Sequence, residues 1–330
     1  MTIKIAAIEK YMPVRKVTSG ELEKMAGFAT GRLQKMTGVA SRYHVSGGES
    51  VCQMAASAIK KAMNKAGITP KDIDLLICAG ASYDYPVPNN AAIIKSLIAD
   101  DSTNFSCFDV DATCLSMLKA MDIAHLYLSA GRYKRIVLVT SEIASGALTP
   151  DDEKTYGLFG DAAVAMILEV SSSEGYNVVH ASFCNYPSGA MLAVVPIGGA
   201  VNRGRTEPAT SKGYFFKMDG KKLIKTTLRY LDGFVRRMEQ DICMSISDAD
   251  YIITHQTSRF GNEYFAKQYK LDPNKMINTL EEYGNCISAS LGLGLELLVN
   301  DKKHYLTGKK VLLIGSAAGL SLGAILLSFE

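Results

Sequence analysis

No cysteine pair in this sequence has C-x-x-C spacing, no run of like charge is longer than Asp151-Asp152-Glu153, and neither sign of charge dominates: 36 basic side chains face 33 acidic ones, for a net charge of +3. So small an imbalance leaves no bulk field for wrapping nucleic acid and no binding tail, so any acidic partner must be met locally. The seven cysteines are odd in number and have no metal-type pairing with histidine. This argues against a zinc site or a disulfide framework and fits a reducing cytoplasm. Residues 1–10 form a β-like run rather than a charged start followed by an apolar stretch, so no signal peptide is expected. The one long apolar run, 311–329, is broken midway by Gly315, Ser316, Ala317, Ala318, Gly319 and Ser321. That division predicts two buried strands around a tight turn rather than a membrane span.

What remains is a chain of 330 residues, 48% apolar and 21% charged, which excludes disorder and coiled coil and can bury a large core. Ser46-Gly-Gly-Glu49 has capping-box spacing. Apolar residues then recur at helical intervals from Val51 to Ala66, ahead of Gly67. Residues 73–79 read as a strand buried on both faces, and helix followed by strand is the rhythm of an α/β fold. The pattern Asp72-x-Asp74-Leu-Leu-Ile77 ending in Ser82 returns as Asp248-x-Asp250-Tyr-Ile-Ile253 ending in Ser258, an offset of 250 − 74 = 176. Lys134-Arg-Ile-Val-Leu-Val-Thr-Ser141 returns as Lys309-Lys-Val-Leu-Leu-Ile-Gly-Ser316, an offset of 309 − 134 = 175. Two distant matches at nearly one offset imply a duplicated unit far longer than a solenoid repeat. The expected halves are 1–170 and 171–330, packed about a pseudo-two-fold axis. Since α/β sheets bind ligands at the carboxyl ends of their strands, the active site should draw on both.

Residues 108–110 end a strand, and Asp111-Ala-Thr113 leads into Cys114 at the start of an apolar helix. Unpaired N–H groups and the positive end of a helix dipole favour thiolate there, making Cys114 a candidate nucleophile, and the same N–H groups could hold an oxyanion. His255 directly follows the second-copy strand. Asn285 lies in Tyr283-Gly284-Asn285-Cys286 before a small-residue helix, in the part of the second copy that answers to the Cys114 region. A thiol, an imidazole and an amide donor are what acyl transfer through a thioester needs, the last two able to hold a developing enolate oxygen.

At this point the chain resembles the β-ketoacyl-acyl-carrier-protein synthase III (KAS III) family of the thiolase superfamily, over essentially its whole length. The likeness rests on Asp111-Ala-Thr-Cys114, Gly160-Asp161-Ala-Ala, Phe216-Lys-Met-Asp-Gly220, His255-Gln256, Gly284-Asn285 and the closing Gly315-to-Gly323 turn. The resemblance implies a five-layered αβαβα fold of two similar halves, a homodimer, and no cofactor or metal. It implies that Cys114 takes an acyl group from a thioester on coenzyme A or an acyl carrier protein. A malonyl-type or β-ketoacyl thioester then condenses with it, His255 and Asn285 holding the enolate. The backbone N–H groups of Cys114 and Ala318 would form the oxyanion hole of the acyl intermediate. Tyr85-Pro-Val87-Pro88 matches the loop that in relatives reaches the partner's acyl tunnel, so Val87 is expected to help set chain length.

The sequence departs from the family in several places. It has no tryptophan, and Arg32 and Met36 stand where relatives carry a tryptophan and an arginine that grip coenzyme A. Ser316 stands where a bulky phenylalanine screens the nucleophile, and Ser258 and Cys286 replace the asparagine and threonine often seen there. These changes point to a specialised member using a carrier-bound or unusual donor. Arg259, Lys267 and Lys270, after His255, either receive an acidic carrier protein or form a solvated helix face. Core packing is expected of Cys286, burial of Cys52, Cys78, Cys107, Cys184 and Cys243, a satisfied interior position of His125, and a structural turn bond of Asp161. Three functions stay open: a condensing enzyme, an acyltransferase passing the acyl group to an alcohol or amine, and a noncatalytic scaffold subunit.

Overall fold

Alternate residues of a strand face opposite sides of a sheet, so strands apolar at every position need cover on both faces. That is the situation of Leu75–Ala79 and, with few exceptions, of the other central strands of the computed structural model, which describes residues 2–208, 210–301 and 305–330. Ten strands carry the fold: β1 (Thr2–Tyr11), β2 (Leu75–Ala79), β3 (Ser106–Val110), β4 (Arg135–Glu142), β5 (Ala162–Ser171), β6 (Tyr176–Asn185), β7 (Tyr251–Thr254), β8 (Met276–Ile277), β9 (Lys310–Ala317) and β10 (Ser321–Phe329). The main helices are α1 (Val51–Ala66), α2 (Asn90–Ile98), α3 (Ser116–Ser129), α4 (Gly220–Ile242), α5 (Arg259–Gln268) and α6 (Ala289–Asn300).

The strand order is β8-β7-β9-β10-β6-β1-β5-β4-β2-β3. Its two ends repeat one pattern. In the first five strands β2 runs parallel to β3 and β4, β4 antiparallel to β5, and β5 antiparallel to β1. In the last five, β7 runs parallel to β8 and β9, β9 antiparallel to β10, and β10 antiparallel to β6. The two five-stranded sheets meet edge to edge through one pair, Ile3 and Tyr176. Helices α3 and α6 fill the space between them in the largest core, which takes Leu75, Ile77, Leu138 and Met166 from one sheet and Ile253, Leu313 and Ile325 from the other. The opposite faces, through Leu76, Val137 and Ile167 and through Ile252, Leu312 and Leu326, are covered by α1 with α2 and by α4 with α5. The result is the expected five-layered αβαβα fold of the thiolase type.

The apolar run 311–329 forms an antiparallel hairpin, β9 against β10, closing at Ala317 and Ser321. Among the described residues no helix is long and apolar enough to cross a membrane. Three expectations need correction. Helix α1 is capped by Ser50, whose hydroxyl accepts from Gln53 N, while the Ser46–Glu49 pair closes a turn ahead of the helix. Of the five cysteines expected to be buried, only Cys52 and Cys78 are; Cys107 and Cys184 are half-buried and Cys243 is exposed, since each lies on an edge strand or past a helix end. His125 is half-exposed and its Nδ1, though shielded, has no partner.

Candidate active site

The residues expected to act together lie on turns that the fold repeats. In the turn before α3, Thr113 N donates to Asp111 Oδ1 at 2.8 Å and Ala112 N to Ser116 Oγ at 2.9 Å. In the turn before α6, Ile287 N donates to Asn285 Oδ1 at 2.9 Å and Cys286 N to Ser290 Oγ at 2.9 Å. The offset is 174 for every pair. Thr113 and Ile287 both sit at φ 50, a left-handed conformation that β-branched residues adopt only under strain, and strain of this kind clusters at functional sites. Cys114 follows one strained residue and Ser288 the other, while Asn285 occupies the place of Asp111.

The Cys114 turn packs against β9 and β10. Thr113 Oγ1 donates to the carbonyl of Ala318 at 3.2 Å, and the Cys114 thiol faces the backbone N–H groups of Ala318 and of Cys114 itself. His255 joins the same strand, its N–H donating to Ile314 O at 2.9 Å. Gly315 makes this approach possible: a Cβ there would lie 2.7 Å from His255 Cβ and 3.3 Å from Leu115 Cδ2. Asn285 is held against the first half of the chain. Its N–H donates to Leu158 O at 2.9 Å, its carbonyl accepts from Gly160 N at 3.1 Å, and Gly284, at φ +70, brings the chain within reach of Leu158. Since Ile287 N occupies its Oδ1, Asn285 keeps its Nδ2 donor free among the described residues.

The electrostatics correct one expectation. Although solvent reaches part of Cys114, burial pushes its thiol up to about 12, and the Glu142 carboxylate adds to the rise; the N–H groups of Ala318 and Cys114 oppose it without prevailing. Desolvation therefore outweighs the helix start, and Cys114 rests as a thiol. His255 is 4% exposed, burial pushes its pKa down to about 4, and its Nδ1 has no partner. It is therefore a neutral imidazole at any ordinary pH.

Glu142 was missed from sequence. It ends β4, is fully buried, and accepts from Ala81 N and Ser82 N at 3.0 Å, from Ser82 Oγ at 2.6 Å and from Ser288 Oγ. Ser288 also meets Thr140 Oγ1 at 2.5 Å. The carboxylate thus ties the first sheet to the turn that carries Asn285, and burial raises its pKa against those hydrogen bonds. Its partners lie 60 and 146 residues away in sequence, so no local pattern reveals it. Asp161 has the structural role expected, accepting from Val45 N, Ala144 N, Ser145 N and Ser145 Oγ, and Cys286 is buried in the core.

A cavity of about 440 Å³ leads in from the surface. Its inner end is formed by Thr254, His255, Thr257, Ser258, Gly315 and Ser316, and Leu158 lines it beside Asn285. Neither Cys114 nor Asn285 is part of its wall; the Cys114 turn packs against the strand that supplies Gly315 and Ser316. Val87 lies outside it, 84% exposed on a loop with the exposed Tyr83 and Tyr85. Arg259, paired with Glu263 at 2.9 Å, Lys267 and Lys270 are exposed on and just beyond α5, near the cavity's outer wall.

The sequence and the fold have known relatives. Residues 108–187 match the family model for 3-oxoacyl-[acyl-carrier-protein (ACP)] synthase III, and residues 240–329 match the model for the C-terminal part of the same enzyme. A β-ketoacyl-[acyl-carrier-protein] synthase III from Clostridium kluyveri is 29% identical over 330 residues, covering 99% of this chain and 98% of its own. One from Chlamydia caviae is 26% identical over 98% and 96%. In structure, the 3-oxoacyl-[acyl-carrier-protein] synthase III of Aquifex aeolicus superposes with a TM-score of 0.86 at 23% identity over 99% of both chains. A variant of OleA from Xanthomonas campestris superposes with a TM-score of 0.86 at 21% identity, over 99% of this chain and 97% of its own. With Cys114, His255 and Asn285 all inside the matched residues, the chain belongs to the 3-oxoacyl-[acyl-carrier-protein] synthase III family of the thiolase superfamily and is an acyl-transferring condensing enzyme.

Proposed function

We propose that this protein condenses an acyl thioester with a malonyl-type thioester through Cys114, His255 and Asn285, using both halves, residues 1–170 for the nucleophile and 171–330 for the imidazole and the amide. The observation that carries the reading is the Cys114 thiol facing two backbone N–H groups, with a neutral buried imidazole on the adjoining strand.

The thiol attacks the acyl carbonyl, whose oxygen is held by the N–H groups of Cys114 and Ala318. The departing thiolate takes up the proton that the Cys114 sulfur loses, so acyl-Cys114 and a free carrier thiol result. The malonyl-type thioester then loses carbon dioxide, and its two electrons become an enolate held by Nε2–H of His255 and Nδ2–H of Asn285. A neutral imidazole suits this role, because it can donate without first having to be protonated. The enolate carbon attacks acyl-Cys114, a carbon–carbon bond forms, the carbon–sulfur bond breaks, and the departing cysteine sulfur takes a proton from solvent.

Replacing His255 or Asn285 by alanine is expected to leave acylation of Cys114 within about tenfold of normal while slowing carbon dioxide release from malonyl-carrier protein by roughly a hundredfold to a thousandfold. Equal loss in both steps would remove the enolate role. A second reading is supported by Ser316, a small side chain lining the open cavity in place of an aromatic screen. In that case acyl-Cys114 is handed to an alcohol or amine, and labelled malonyl-carrier protein releases no carbon dioxide.

Specialised metabolism, a cytoplasmic setting and a homodimer complete the proposal. The exposed Tyr83, Tyr85 and Val87 supply an apolar loop for a second subunit, and Arg259, Lys267 and Lys270 supply positive charge for an acidic carrier protein.

A further inference from the structure

The strained residues of the two turns are held by different means. Thr113, at φ 50, ties itself down through its own hydroxyl, which donates to Ala318 O at 3.2 Å. Ile287, at the same φ, has no hydroxyl, and its side chain packs against the apolar cluster of Val39, Leu158 and Leu280. A β-branched residue keeps this conformation only where its neighbours over-determine it. Before Ile287 the anchor is Cys286, whose N–H donates to Ser290 Oγ at 2.9 Å. After it the anchor is Ser288, which is fully buried and gripped from β4 on two sides. Its hydroxyl donates to Glu142 and, with its own proton so committed, accepts from Thr140 Oγ1 at 2.5 Å.

This clamp stands one hydrogen bond away from the Asn285 amide. Ile287 N–H donates to Asn285 Oδ1 at 2.9 Å, and because the amide is planar, fixing its oxygen also fixes the direction of Nδ2. The Asn285 backbone is held separately, by Leu158 O at 2.9 Å and Gly160 N at 3.1 Å. Loss of the clamp therefore leaves Asn285 in place and frees its amide to turn. The Cys114 turn has anchors of its own, Asp111, Ser116 and Ala318, and shares none of them with Ser288. We propose that Ser288, held by Glu142 and Thr140, is the positioning residue of the Asn285 amide, governing carbon dioxide release and condensation but not acylation of Cys114. This role rests on the enolate reading of Asn285 given above and adds what aims its donor.

The test is made at Ser288, because the Glu142 charge also bears on the Cys114 thiol. In Ser288→Ala, acylation of Cys114 by decanoyl-pantetheine, read by intact mass, is expected to stay within about threefold of the wild type, while carbon dioxide release from malonyl-carrier protein slows about tenfold to a hundredfold. Added to Asn285→Ala, the same substitution should slow carbon dioxide release by no more than about twofold further, since nothing is left to aim. Thr140→Val, an isosteric change that removes one bond of the clamp, should show the same split at about threefold to tenfold, and it decides the matter if Ser288→Ala fails to fold. Hydrogen exchange of the Ile287 amide, read by mass spectrometry on peptides, should quicken at least about tenfold in either variant. Equal slowing of both steps, a full further loss on top of Asn285→Ala, or unchanged exchange at Ile287 would overturn the positioning role. Faster exchange at Ile287, with carbon dioxide release untouched by Asn285→Ala, would sink the enolate reading and leave the clamp standing.

Discussion

The two halves of this molecule share a plan and differ where chemistry is done. Both build a five-stranded sheet in the same order, and both begin their central helix with the same hydrogen-bonded turn around a strained residue, Thr113 in one and Ile287 in the other. After that turn the first half places Cys114 and the second Ser288. The sulfur looks toward the N–H of Ala318, just beyond β9, whereas the hydroxyl is held by Glu142 at the end of β4. These strand ends are themselves equivalent: Glu142 answers to Ala317 at an offset of 175. One crossing turns backbone N–H donors toward the Cys114 sulfur, while the other uses a buried carboxylate to fix the turn that carries Asn285. The outer helices diverge as well, α1 and α2 being closed together and α4 and α5 parted around a cavity. A duplicated frame supplies the convergence, and the unequal contents of its two copies supply the function.

Substitutions at matched positions of the two turns separate their roles. The largest effect is expected from Cys114→Ala, which should abolish the acyl-enzyme and reduce turnover by roughly a thousandfold or more, read by mass and by product formation. Adding Ser288→Cys to that variant should restore nothing, because Ser288 faces a carboxylate; recovery of activity would mean that the two turns are interchangeable. Gly315→Ala puts a methyl group 2.7 Å from His255 Cβ, so turnover should fall about tenfold to a hundredfold and thermal stability by about 1–3 kcal/mol. An unchanged rate would show that His255 does not need that close approach.

Glu142→Gln removes a charge that raises the Cys114 pKa and spoils bonds accepted from Ala81, Ser82 and Ser288. Stability should drop by about 1–3 kcal/mol. The variant's Cys114 should nevertheless alkylate faster with iodoacetamide at neutral pH; slower alkylation would contradict the sign of the Glu142 effect. In the wild type, alkylation should climb about tenfold per pH unit from roughly pH 6 to 9 with no plateau, as a thiol near 12 requires. A plateau near neutrality would restore the helix-start account.

The smallest effect concerns His255. Its folded pKa, about 4, lies below the ordinary value of 6.5, so the unfolded chain binds the extra proton first. Stability from this group is whole above 6.5 and is lost as pH falls toward 4. The His255→Gln variant should show a flatter denaturation midpoint across that window, and an identical slope would place the acid sensitivity elsewhere.

Much of the fold was legible because it rests on local apolar runs repeated at one offset: the strands ending at Ala79 and Thr254, and the hairpin of β9 and β10, follow from sequence directly. His255 was legible because it follows a repeated strand, and Cys114 and Asn285 because each precedes an apolar helix at matching places in the two copies. The resting state of Cys114 was not, since a helix start is a local feature whereas desolvation and the Glu142 charge come from distant parts of the chain. The apolar stripe of α4 has helical spacing in sequence, but spacing does not tell a face packed in a core from one left open beside α5. The cap of α1 was misplaced because two serines, Ser46 and Ser50, each precede a side chain or N–H three residues on, and tertiary packing chose the second.

The most direct test of the central claim is peptide-resolved mass spectrometry of the enzyme after exposure to a decanoyl thioester and then to malonyl-carrier protein. The expected result is one decanoyl group on Cys114, discharged in step with an equal amount of carbon dioxide and a lengthened β-ketoacyl thioester. An unmodified Cys114, or an acyl group carried on any other residue, would contradict it.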